Sequence, residues 1–207
     1  MDTNALDYDR AFQHKKRFPG ASIWVEFANS QALAKKVLNY ELDVAVTARE
    51  YTLPSFHSLA FTSDSLIVLA PEGSAWERRR SISVKELKRQ VIVCREPGSS
   101  SRSAADRLID TAGIPPNQVV QIGSREGVIA AVAEGMGLGI IFDDELPPEA
   151  RLVKVPISGQ VIRCHDEIVC MRERRTSQVI SGFLAIAQEY VDERRSLIAA
   201  RQKLLRR

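Results

Sequence analysis

Long apolar runs are missing from this 207-residue chain, and no stretch reaches the ~18 consecutive apolar residues that a membrane-spanning helix needs. Met1, Asp2, Thr3 and Asn4 also lack the basic and then apolar character of a secretory signal, so a cytoplasmic protein that meets no membrane is expected. Cysteine is scarce. Cys94, Cys164 and Cys170 form neither an even set nor a C-x-x-C pair, and buried, reduced thiols are expected in place of disulfides. His14, His57 and His165 are scattered, with no H-E-x-x-H or Cys/His spacing, and neither a metal nor a cofactor is expected. No G-x-S-x-G elbow is present either, which argues against a hydrolase triad and against catalytic residues of that kind. What is present, 44% hydrophobic and 27% charged residues, is enough to bury a core and excludes a disordered chain.

Charge is unevenly spread. The net charge is +3, yet Arg194, Arg195, Arg201, Lys203, Arg206 and Arg207 place six cations in the last fourteen residues, leaving −3 for everything before them. A slightly acidic body with a basic tail does not read as a nucleic-acid surface, which would need a basic stripe along the folded domain. The tail is read as a solvated helix end.

Helical and strand patterns alternate along most of the chain. Residues 5–18 carry a helical pattern stopped by Pro19 and Gly20; Ile23, Val25 and Phe27 then alternate with polar neighbours as a strand does. Ser30 is read as the N-cap of the next helix, which carries Leu33, Val37 and Leu38 on one face and ends before Asn39 and Tyr40, and 43–47 is a short apolar run of the kind buried in parallel sheets. Two strands follow, 56–61 and 65–70, separated by Thr62, Ser63 and Asp64. After a charged, turn-rich connection over 71–83, a second series reads as helix 84–89, strand 91–94, a helix ended by Gly113 and Pro115, strand 119–122, helix 124–134 and strand 138–142. Strands at 152–157 and 167–171 and a long helix over 176–205 complete it. This order predicts an α/β fold of two small lobes, with parallel sheets covered on both faces.

Gly135, Gly137 and Gly139 invite a dinucleotide reading, but a phosphate-cradling loop follows a strand and opens a helix, whereas here the helical pattern precedes the glycines. Gly135 is read as a helix stop and the other two as close-approach positions. The informative turns lie elsewhere. Asn29 and Ser30, then Ser99, Ser100, Ser101 and Arg102, then Gly123 and Ser124 each stand between a strand and a helix. Free backbone N–H groups, serine hydroxyls and the arginine there suit an anion such as a carboxylate or phosphonate, set against ordinary capping of the helix, for which one hydroxyl suffices. Asp143 and Asp144, after the strand 138–142, are acidic candidates for a ligand amine.

In this order the segments resemble the effector-binding domain of LysR-type transcriptional regulators. The resemblance covers roughly residues 12–190 and is carried by Phe18-Pro19-Gly20, by the run from Leu38 through Val46, by Arg95-Glu96-Pro97-Gly98-Ser99-Ser100-Ser101-Arg102, and by Ile122-Gly123-Ser124-Arg125-Glu126-Gly127-Val128 leading to Gly135-Met136-Gly137-Leu138-Gly139-Ile140. It implies two Rossmann-like lobes of the type II periplasmic-binding-protein kind joined by two crossing strands, with 1–63 plus 160–207 as the first lobe and 64–159 as the second. It also implies a small effector in the cleft, pairing into a homodimer or higher homo-oligomer, and a regulatory role, with an enzyme on the same two-lobed fold as the alternative. Carried over residue by residue, the effector contacts fall at Asn29, Ser30, Thr47, Ser99, Ser100, Ser101, Arg102, Gly123, Ser124 and Phe142. The family's winged helix-turn-helix is absent, so DNA is expected to be met only through a separate domain. The family's first effector-domain strand is unmatched in residues 1–9, and the first lobe is expected to carry a gap in its sheet.

Overall fold

The computed structural model describes residues 15–159 and 161–205. The chain divides into two compact units, one built on Ser63–Cys164 and the other on the chain through Thr62 together with His165 onward. The chain passes from one unit to the other inside two strands, β2 (Phe56–Pro71) and β7 (Arg163–Met171).

In the unit built on Ser63–Cys164, five strands are ordered β6-β2-β5-β3-β4, where β3 is Ile92–Arg95, β4 is Val119–Ile122, β5 is Leu138–Phe142 and β6 is Leu152–Pro156. β3 runs parallel to both β4 and β5, while β2 is antiparallel to β5 and β6. Side-chain alternation sorts the strand residues onto two faces. Leu66, Val68, Ile92, Cys94, Leu138 and Ile140 pack against Ala104, Ala105 and Leu108 of the helix Ser100–Ala112. Ile67, Leu69, Val93 and Ile141 pack against Val128 and Val132 of the helix Arg125–Ala133 on the other face. Each fully buried Leu or Ile is worth about 1.5–3 kcal/mol relative to exposure, which is why continuous apolar runs become central strands here.

Numbered in chain order, the helices are α1 (Ser30–Leu38), α2 (Val84–Leu87), α3 (Ser100–Ala112), α4 (Arg125–Ala133) and α5 (Gln178–Leu205). In the other unit β1 (Val44–Ala48) pairs with β7, and β7 neighbours β2. Ala34 and Val37 of α1 pack with Ala45, Phe56, Val169 and Met171, while Phe61, Ile168, Ala187, Tyr190 and Val191 close the opposite face, with the Phe61 and Tyr190 rings 5.7 Å apart.

Several expectations are met locally. Gly113 and Gly135 end their helices with φ of 62° and 77°, the left-handed conformation that glycine adopts without a Cβ penalty. A Cβ on Gly137 would overlap the carbonyl oxygen of Val91, so the β5 entry is a close backbone approach. Other expectations need correction. The run 43–47 lies in β1, which pairs antiparallel with β7, so the sheets are mixed and not purely parallel; a buried apolar run tells of two covered faces and not of strand direction. Residues 56–61 and 65–70 form one 16-residue strand, because Thr62, Ser63 and Asp64 include no glycine or proline to break it. Residues 23–27 join no ladder at all. Ile23, Trp24, Val25 and Phe27 are exposed, Trp24 by 83%, and the alternation that suggested a strand specifies a side-chain period without supplying a neighbouring edge. The expected helix over 5–18 falls mostly outside the described residues; 15–17 are helical.

Candidate functional site

Because β3, β4 and β5 are parallel neighbours, the turns that leave them stand at one end of the sheet. That end gathers Ser99–Arg102 after β3, Gly123 and Ser124 after β4, and Phe142 with Asp143 and Asp144 at the end of β5.

The three serines at the start of α3 divide their work. Ser99 Oγ accepts the backbone N–H of Arg102 at 3.1 Å and is the N-cap. Ser101 is 1% exposed, and its hydroxyl lies 3.3 Å from that of Ser99, so it buttresses the cap from within. Ser100 is partly buried and opens the helix. Arg102 is committed to the protein: Nε donates to Asp106 at 2.6 Å, and Nη1 donates to the Arg95 carbonyl at 3.0 Å and to Gln121 Oε1 at 3.1 Å. Its charge therefore stands beneath the turn and ties β3 to β4. Ser124 caps α4 by accepting the Gly127 N–H at 3.0 Å and is exposed, as is Gly123. Gly127 is confined by that cap, since a Cβ there would lie 2.6 Å from Ile122 and 2.8 Å from Ser124 Oγ. The Phe142 ring is buried among the core residues, and the part of Phe142 that serves the turn is its backbone N–H, which donates to Glu145 Oε2 at 2.9 Å.

In the other unit, Asn29 caps α1 through Oδ1, which accepts the Ala32 N–H at 2.9 Å. The N-cap is therefore Asn29 and not Ser30 as expected, because the amide oxygen one residue earlier reaches the free N–H and Ser30 becomes the first helical residue. Its hydroxyl instead accepts the N–H of Ala48 at 3.2 Å, fastening the start of α1 to the end of β1. Next to that contact, Thr47 is 1% exposed and its hydroxyl oxygen has no hydrogen-bond partner among the described residues. Asn29, Ser30 and Thr47 thus belong to one corner of this unit.

Two groupings are made only by the fold. Glu167 is buried opposite Thr47 in the β1–β7 register, and it accepts hydrogen bonds from Arg49 Nε at 2.6 Å and Thr52 Oγ1 at 3.0 Å. Burial raises its pKa, but the hydrogen bonds from Arg49, Thr52 and Ser58 outweigh it, and the carboxyl is held below its ordinary value. At the sheet end of the first unit, carboxylate oxygens of Asp64, Asp143 and Asp144 lie within 4.8 Å of one another. The Asp144 N–H donates to Asp64 at 2.7 Å, and Lys154 pairs with Asp143 at 2.6 Å. Burial pushes the Asp64 carboxyl up. These are the described residues whose donor types could hold a cation. Asp64 sits too far from the aspartate pair in sequence for spacing to suggest the grouping.

Cys94 and Cys170 are buried, Cys164 is partly buried and all three are free thiols. Burial raises the Cys94 and Cys170 thiols, which disfavours the thiolate that redox or nucleophilic chemistry requires. No helix among the described residues is long and apolar enough to cross a membrane.

A family model described as the LysR substrate binding domain matches residues 12–192. Among curated relatives, the HTH-type transcriptional regulator CbbR of Xanthobacter flavus is 28% identical over 178 residues, 82% of this chain and 54% of that protein. CysL of Bacillus subtilis, also an HTH-type transcriptional regulator, is 26% identical over 129 residues, 62% of this chain and 43% of that protein. The chain spans about half the length of the curated relatives it matches. Among solved structures, the CcmR regulatory domain of Synechocystis PCC6803 in complex with 2-PG superposes with a TM-score of 0.77 at 18% identity, covering 91% of this chain and 92% of that one. The effector-binding domain of QuiR in complex with shikimate gives 0.75 at 15% identity, covering 90% of each. At these identities the likeness is one of fold, the type II periplasmic-binding-protein-like fold of such domains. The relatives named are regulators, and the alternative of an enzyme on the same fold gains no support from them.

Proposed function

Since the chain belongs to the LysR substrate binding domain family, we propose that it is the ligand-sensing part of a DNA-binding transcriptional regulator. The match across residues 12–192 carries this reading. The ligand is a small anionic metabolite, a carboxylate or phosphonate, that is bound and released unchanged. Support for the anion comes from the starts of α3 and α4, where partial positive charge and unsatisfied N–H groups coincide with the hydroxyls of Ser100 and Ser124. Ser100 is the residue assigned to the ligand, because Ser99 and Ser101 are occupied with each other and Arg102 is neutralised by Asp106. Asn29, Ser30 and Thr47 are the corresponding candidates of the other unit. The effector acts by binding one arrangement of the protein better than another, and its leverage equals that difference in affinity. The regulator works in the cytoplasm as a homodimer or higher homo-oligomer and meets its operator through a separate helix-turn-helix domain.

Isothermal calorimetry against a panel of small carboxylates and phosphonates tests the assignment. A ligand should bind and be recovered unchanged, and Ser100→Ala should weaken it by roughly tenfold, the cost of one hydrogen bond to a charged group. Unaltered affinity in that variant removes Ser100 from the site, and chemical conversion of the ligand overturns the sensor reading. Light scattering that finds monomer at micromolar concentration would count against self-assembly.

A further inference from the structure

The body of the chain is acidic on average, but residues 78–89 are not: Arg78, Arg79, Arg80, Lys85, Lys88 and Arg89 stand against the single acid Glu86. One ion pair joins the loop of this stretch to the helix that follows it. Arg79 Nη2 donates to Glu86 at 2.6 Å, and Glu86 also accepts from the Ser83 N–H at 2.9 Å and from its hydroxyl at 2.8 Å. The loop that carries Arg78–80 is thereby pinned against the first turn of α2, which carries Lys85. Arg79 is spent on Glu86 and on the ring of Trp76, 5.5 Å from its guanidinium carbon. Arg78, Arg80, Lys85, Lys88 and Arg89 are all exposed and have no ion-pair partner among the described residues.

Five exposed, unneutralised cations within twelve residues of chain repel one another, and a counter-charge of comparable density relieves that repulsion. We propose that this basic segment docks the phosphate backbone of duplex DNA without reading its sequence. Phosphates repeat along a duplex at a spacing that lets one short segment meet several of them, and arginine forks bind them bidentately. The apolar residues of the same stretch point inward: Ile82 and Leu87 are buried, and Val84 is partly buried against the core. With no apolar centre, the segment lacks what a protein partner would cover. Trp76 is packed on the core beneath Arg79, so it offers no anchor for insertion into a lipid surface. The contact is independent of the effector, since none of these residues belongs to the turns assigned to it. It also refines the expectation that DNA is met only elsewhere: an average over the chain hides a local patch.

The test is fluorescence anisotropy of the 207-residue chain with a labelled duplex of random sequence, titrated with salt. Engagement of all five cations gives a slope of log affinity against log salt of about −4 to −5. Neutralising Arg78, Arg80, Lys85, Lys88 and Arg89 to Gln should flatten the slope by most of that amount and weaken binding at low salt by at least ~10-fold. The pair Arg78→Gln and Arg80→Gln, in a loop outside any helix or strand, should give about two-fifths of the flattening and guards against a folding defect in the larger variant. A third variant neutralises Arg201, Lys203, Arg206 and Arg207 and should keep most of the slope. The proposal is overturned if the patch variants bind as the parent does, if the C-terminal variant alone abolishes binding, or if polyglutamate or phosphatidylserine vesicles bind this segment as tightly as the duplex. Effector calorimetry on the patch variants should be unchanged, which separates failure here from failure of the sensor reading.

Discussion

The hydroxyl of Ser30 lies 3.2 Å from the backbone nitrogen of Ala48 and accepts its hydrogen bond, so the first residue of α1 is tied to the last residue of β1. Asn29 does the capping that a serine at a helix start would ordinarily do. One position in sequence thus separates a residue that serves its helix from one that serves a strand eighteen residues on.

Ser30→Ala should therefore destabilise the protein by about 1 kcal/mol, the cost of leaving a largely buried N–H unpaired. Thr47→Val, its neighbour in space, should not: the threonine hydroxyl is buried without a partner among the described residues, and an isosteric methyl removes a desolvation cost. Urea unfolding midpoints of the two variants should move in opposite directions, and a loss of stability in Thr47→Val would mean that its hydroxyl is satisfied in solution.

Gly137 passes so close to Val91 that a methyl group cannot be accommodated without moving backbone. Gly137→Ala should cost about 2–4 kcal/mol, in the range of severe core substitutions. Gly135→Ala, at a φ of 77° with open space around it, should cost only ~1 kcal/mol. Thermal melts that rank the two the other way would contradict this account of the β5 entry.

Glu86 is held at a pKa of about 2, chiefly by the Ser83 backbone N–H, then by the Ser83 hydroxyl and Arg79. A carboxyl lowered by folding contributes stability above its unfolded value, and that contribution is lost as pH falls through the folded one. The difference in stability between the protein and Glu86→Gln should be constant at neutral pH and shrink between about pH 4.5 and 2. A difference that is flat across that window in acid titrations would show that the capping box does not depend on the charge.

Asp64 behaves oppositely, because burial raises its pKa. A carboxyl raised by folding opposes stability at neutral pH and ceases to do so as pH falls through the folded value. Asp64→Asn retains an oxygen for the Asp144 N–H and should stabilise the protein at pH 7 by less than about 1 kcal/mol, discounted for partial exposure. Destabilisation at pH 7 would show that the second carboxylate oxygen, which faces Ser65, is indispensable.

Residues 119–122 and 138–142 could be placed from sequence to the residue, because Gly123 stops the first apolar run, Gly137 precedes the second and Asp143-Asp144 end it. Direction was not legible: nothing in 44–48 announces that its partner is the returning strand 163–171, more than a hundred residues away. At Ser99, Ser100 and Ser101, composition could say that one cap does not need three hydroxyls, but not which of them is left over. Arg102 is expected from sequence as a ligand cation, and the fold adds an ion pair to Asp106, one helical turn on. Glu167 opens the strand expected at 167–171 with no partner signalled nearby in sequence, and only the fold brings Arg49 and Thr52 to it. The Arg78–80 and Lys85–Arg89 cations do not show in the net charge, because acids elsewhere in the body offset them.

Trp24 stands in water at 83% exposure, while Trp76 is packed on the core beneath the Arg79 guanidinium, and the chain contains no other tryptophan. The two indoles fall in different compact units. Native emission should therefore be a sum of two colours, a red component that iodide quenches freely and a bluer one that it reaches poorly. In a denaturant series the bluer component alone should shift, reporting the melting of the half built on Ser63–Cys164 without any introduced label.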